Sequence, residues 1–261
     1  MRPLVDPRLI EALREQVEQI EGTKARRRRV LPFGVPAIDG TLPDGGLALN
    51  STHEFAGGGA GTVMPAAPTL FVAGIAARTK GPVLWILEKN DIYAPALTQA
   101  GLHHNRVIYV ECNSPEDVLT SAEDALRHGG LGAVILEVPK LDMTASRRLQ
   151  LVAEKSGTPG LIIRKWRRLE NARDFGNPTA SLTKWRISPL PSAPLPVPGV
   201  GQHRWLVELM RARQGTGADW EIEACDSKGK MELVRHDSSR GYDDRYEDLP
   251  VVDPSKWRDT G

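Results

Sequence analysis

The sequence predicts an α/β protein: a mostly parallel sheet flanked by helices, with a helical arm before it and a β extension after it. Between Val30 and Arg164, short apolar runs alternate with amphipathic stretches, so successive strands are joined by helical crossovers. Those runs are apolar along their whole length, as strands buried on both faces are. Hydrophobic residues make up 40% of the 261, enough to build a core.

The elements follow in order. Asp6 to Ile20 reads as a helix, with Asp6 as N-cap and Pro7 at its first position. Ile10, Leu13, Val17 and Ile20 form one apolar stripe that either docks on its own domain or packs against another subunit. Arg26–Arg29 is a basic linker, and residues 1–29 form the arm. Strands are predicted at Thr52–Ala56, Val83–Glu88, Val107–Glu111, Ala133–Val138 and Leu161–Arg164. Helices are predicted between them at Pro65–Arg78, Tyr93–Ala100, Pro115–Arg127 and Thr144–Lys155.

After Arg164 the texture changes. Leu182–Ser188 and Arg204–Met210 read as strands, separated by a linker, Pro189–Gly201, that holds five prolines. A strand near Trp220–Ala224 and a Gly229 turn into Met231–Val234 close a hairpin, so the main domain spans 30–236. The tail, 237–261, has seven acidic and four basic residues with few apolar ones, and is expected to be flexible.

Lys plus Arg is 34 and Asp plus Glu 33, a net charge of +1, which excludes a polybasic protein that coats phosphates with its whole surface. Two cysteines, Cys112 and Cys225, exclude a disulfide framework and favour a reducing, cytoplasmic setting. The N-terminal stretch lacks the apolar run of a signal peptide, and no window approaches the ~20 apolar residues of a membrane span, so no membrane partner is expected. His103 and His104 have no Cys or Asp at ligand spacing, and no nucleophile elbow occurs, so neither a metal centre nor covalent catalysis is expected.

The chemistry sits after the first long strand, where a phosphate-binding loop would open the first helix. The segment is Ala56, Gly57, Gly58, Gly59, Ala60, Gly61, Thr62, Val63. Aligned with G-x-x-x-x-G-K-[ST], Ala56 replaces the first glycine, Thr62 the lysine and Val63 the hydroxyl that ligates Mg²⁺. Without that lysine nothing neutralises the β- and γ-phosphates at close range, so no catalytic residue and no cofactor are assigned. The glycines leave only weak backbone contact with ATP and Mg²⁺. Gly132–Val138 resembles a metal-supporting acidic strand but carries Glu137, expected to be held by neighbouring polar groups. Glu88 ends another strand with no identifiable partner.

Gly34–Leu47 resembles the lead-in of the RecA recombinase family, and Phe175-Gly-Asn-Pro-Thr the start of its DNA loop. Leu182–Ser192, Trp205–Leu209 and Trp220–Asp226 resemble the ImuA family of RecA-like proteins from damage-inducible mutagenesis cassettes. The resemblance implies a RecA-like fold and a non-catalytic accessory role in error-prone translesion synthesis. Its implied partners are an ImuB-like inactive Y-family polymerase homologue, an error-prone replicative-type polymerase and RecA. An ATP-dependent modulator of RecA-type filaments and a SulA-like division inhibitor are the alternatives. Where RecA has the Asn-Gln pair that senses nucleotide, this chain has Arg164 and Lys165.

Arg164, Lys165, Trp166, Arg167 and Arg168, with Asn177 further on, join clustered cations to an aromatic face. That combination suits single-stranded DNA. It suits an acidic protein surface equally, or an exposed face whose Trp166 packs inward.

Overall fold

The computed structural model describes residues 29–59, 65–192, 195, 199, 201–212 and 217–234. The arm stripe Ile10, Leu13, Val17 and Ile20, the tail, and Gly61, Thr62 and Val63 of the glycine loop lie outside them. Among the described residues, no helix is long and apolar enough to cross a membrane.

A short hairpin, β1 (Val30–Leu31) with β2 (Leu47–Ala48), leads in around the one-turn helix α1 (Pro36–Asp39). The main elements are β3 (Thr52–Gly57), α2 (Ala66–Ala77), β4 (Val83–Leu87), α3 (Ala94–Gln99), β5 (Val107–Glu111), α4 (Pro115–His128), β6 (Ala133–Val138), α5 (Met143–Ser156) and β7 (Gly160–Arg164). Then come β8 (Thr183–Leu190), β9 (Arg204–Ala212), β10 (Ala218–Glu223) and β11 (Glu232–Leu233). The nine-stranded sheet runs β11-β10-β9-β8-β3-β7-β6-β4-β5. It is parallel from β8 to β5 and antiparallel from β8 to β11.

Two apolar layers enclose the sheet. On one face α2 and α3 pack with Phe33, Phe55, Trp185, Trp205 and Val207. Phe33 lies 5.8 Å from Phe71 and 5.5 Å from Trp185, which anchors the lead-in beneath the sheet. On the other face α4 and α5 cover Ile86, Val134, Leu136 and Ile162. Their ends carry local stop signals. Ser114 Oγ accepts from Asp117 N (3.1 Å), Asp142 Oδ1 accepts from Ala145 N (2.7 Å), and Gly157 closes α5 in the left-handed region. Arg106 reaches back to donate to the carbonyls of Ala77, Thr79 and Gly81 at 2.8–3.0 Å, satisfying the orphan end of α2.

A buried polar chain ties β3 to β8. Trp185 Nε1 donates to Thr183 Oγ1 (2.6 Å), which lies 2.7 Å from His53 Nδ1, and His53 Nε2 lies 2.8 Å from Ala48 O. Burial outweighs the favourable carbonyl bond and lowers the His53 pKa to about 4. The closing hairpin docks on α2 at Gly74, where any side chain would collide with Cys225 Sγ. Burial there pushes the Cys225 thiol up to about 12.

Two expectations are corrected. The apolar run Val107–Glu111 predicts a strand buried on both faces, but as β5 it is an edge strand and Ile108 is 52% exposed. The proline linker starts later than expected, because β8 continues through Pro189, opposite Trp205, to Leu190.

Candidate functional site

In an open parallel sheet, ligands sit at the carboxyl ends of the strands where the connections change direction. Here that place is the end of β3. Its successor β4 lies beyond β7 and β6, whereas β8 lies on its other side. The glycine loop, Glu137 and the segment after β7 converge there.

The glycine loop leaves β3 pinned to the antiparallel half. Ala56 is paired within the sheet to Arg164 and Arg186, and Gly57 to Ile187. Gly58 N donates to Ile187 O at 3.1 Å, and a Cβ at Gly58 would collide with Ser188 Oγ and Arg186 Cγ. Gly58 is therefore required by packing against β8, independently of any phosphate. Gly59 takes a positive φ of 54°. At the start of α2, Pro65 and Pro68 carry no N–H, so the free donors a helix start offers an anion are reduced.

Glu137, the penultimate residue of β6, is almost fully buried. It accepts from Trp85 Nε1 at 3.0 Å and from Lys165 Nζ at 2.9 Å, while Lys165 also reaches Asp91 Oδ1 at 2.6 Å. Burial works against the Lys165 charge, but the hydrogen bonds and charges of Asp91 and Glu137 outweigh it and raise the pKa. The carboxylate that would support a metal-bound water thus already has a cation of the chain's own. Glu88, without a partner in the sequence reading, lies 3.5 Å from Arg167 Nη2.

Beyond β7 the structure splits the predicted basic group. Arg164 is fully buried, which corrects its assignment to direct contact with DNA or a partner. Its guanidinium meets Glu54 Oε2 at 3.1 Å, Pro139 O at 3.0 Å, and the carboxylate of Asp174. Trp166, 2% exposed, packs inward edge-on to Phe175 at 6.0 Å, so it offers no face for a base to stack on. Lys165 is spent on Glu137 and Asp91. Arg167 and Arg168 stay exposed, with side chains 88% and 78% accessible. Asn177 is exposed and donates to Asp174 Oδ1 at 2.9 Å.

Sequence reasoning missed Glu54, Asp174, Lys184, Thr179, Asp91 and Trp85. One signal was available: Glu54 and Arg164 are the carboxylate and guanidinium of two fully buried strands, and such charges require partners.

Comparison with known proteins supplies a relationship. "Protein ImuA" of Caulobacter vibrioides strain NA1000 / CB15N is 40% identical over 208 residues, covering 76% of this chain and 84% of that protein. The same protein from strain ATCC 19089 / CIP 103742 / CB 15 matches equally. The crystal structure of the RadB recombinase superposes with a TM-score of 0.53 at 13% identity, over 78% of this chain and all of that one, so the fold is RecA-like. No protein-family model matches the chain.

Proposed function

The chain belongs to the ImuA family, and on that premise we propose that it is a non-catalytic, RecA-like accessory protein of a damage-induced, error-prone DNA synthesis complex. One observation carries the non-catalytic part: Lys165 neutralises Glu137, the acidic penultimate residue of β6, at 2.9 Å. A carboxylate already held by a lysine and an indole has little capacity left to orient a water or a hydrated metal. The substitutions Thr62 and Val63 in the glycine loop point the same way.

The role left to such a frame is to present surfaces. The partners we propose are an ImuB-like inactive Y-family polymerase homologue, an error-prone replicative-type polymerase and RecA. Single-stranded DNA is a further candidate, supported by the exposed guanidinium groups of Arg167 and Arg168. A binding experiment tests this reading. The full chain should capture the ImuB-like protein with equal affinity with or without ATP and Mg²⁺, and removal of residues 1–22 should weaken capture. Capture that requires ATP, or no capture of any of the three proteins, would contradict it.

A further inference from the structure

We propose that Arg164 and Asp174 form a permanent latch that holds segment 165–178 in one geometry without any nucleotide. The inference goes beyond the accessory role and does not depend on it. It rests on an imbalance of buried charge.

Glu54 on β3 is fully buried and shared by two cations, Arg164 at 3.1 Å and Lys184 at 3.7 Å. Both cations are themselves almost wholly buried. One carboxylate against two cations leaves an excess positive charge in a region closed to water, which is strongly unfavourable. The second carboxylate is Asp174, and the segment after β7 delivers it. Its side chain is 24% exposed, at the boundary between the core and solvent. The segment therefore supplies the second counter-ion of the core, and lifting it away would leave Arg164 and Lys184 sharing Glu54 alone.

The same cluster fixes the segment's backbone. Lys184 Nζ donates to Phe175 O at 3.1 Å and to Asn177 O at 2.6 Å. Thr179 Oγ1 donates to Glu54, and Arg211 Nη1 reaches Thr179 O at 3.3 Å. Asn177 binds Asp174 through both its side chain (2.9 Å) and its backbone N–H (3.1 Å). Among the described residues, these tethers come from β3, β7, β8 and β9 and from within the segment itself. The latch therefore holds the 174–179 end of the segment to the strands of the sheet, and by this proposal its geometry does not depend on nucleotide.

Amide hydrogen exchange on the full chain tests the latch. In the natural protein the amides of 169–177 should be protected, and adding ATP with Mg²⁺ should leave their rates unchanged. Asp174→Asn removes the charge while keeping the shape, and should speed their exchange about tenfold while β6 and β7 hold their rates. Glu170→Gln, which alters an exposed carboxylate of the same segment, should leave them unchanged. Unchanged exchange in Asp174→Asn would overturn the latch. So would loosening or loss of the whole fold in that variant, which would make Asp174 a general support. A change in the segment's rates on adding ATP and Mg²⁺ would overturn its independence of nucleotide.

Discussion

Lys165 Nζ lies 2.9 Å from Glu137 Oε2, joining the first residue after β7 to the penultimate residue of its neighbour β6. That pair places an ammonium where the sequence pattern alone would suggest a metal-supporting carboxylate. Lys165→Ala should free Glu137 and Asp91 for a hard trivalent cation. Trp85, which donates to Glu137 at 3.0 Å, is placed to sensitise terbium luminescence. Terbium emission excited through tryptophan should rise in the variant over the natural chain and vanish again in the double variant with Glu137→Gln. The single variant should lose about 1–2 kcal/mol of stability, because the ion pair is only partly screened by solvent.

His53 predicts an acid-sensitive fold. Its folded pKa of about 4 lies below the ordinary 6.5, so the unfolded chain binds the extra proton first. The stability this neutral ring confers is complete above pH 6.5 and is lost as the pH falls towards 4, by about 3 kcal/mol. Urea unfolding measured across that range should show the slope, and His53→Gln should remove that part of it.

Asp174 acts in a lower window. Burial alone would raise its pKa, but the Arg164 guanidinium outweighs burial and holds it below the ordinary 3.8. Its contribution is complete above that value and disappears as the pH falls further. Acid titration followed by the near-ultraviolet signal should show this step in the natural chain and lose it in Asp174→Asn.

Gly74 and Cys225 should be energetically coupled. A Cβ at Gly74 collides with the Cys225 sulfur, so Gly74→Ala should cost about 2 kcal/mol by overpacking. Cys225→Ala makes room, and the double variant should be more stable than the sum of the two single losses predicts. Thermal melts of the four proteins complete that cycle.

Arg106→Ala should cost about 1–3 kcal/mol, because it strips the donors from the carbonyls at the end of α2 and leaves no replacement side chain. Melting temperature reads this directly.

The framework was legible because its signals are local. The predicted strand Val107–Glu111 coincides with β5, and helix Pro115–Arg127 ends one residue short of α4. Apolar runs and turn residues fix such elements without reference to the rest of the chain. Strand order is non-local, so the edge position of β5, and with it the exposure of Ile108, was invisible. The site was half legible for the same reason. The broken glycine loop and Glu137 could be read in place. The inward turn of Arg164 depends on Glu54 and Asp174, 110 and 10 residues away, and the four cations of 164–168 look alike in sequence until the fold separates them.

Calorimetric titration of the full chain with ATP and Mg²⁺ tests the central claim most directly, with Thr62→Lys plus Val63→Thr as the comparison. The natural chain should give no binding heat, and its β6 carboxylate should stay with Lys165. Binding tighter than about 1 mM, roughly −4 kcal/mol, would contradict the account and make the glycine loop a working nucleotide site.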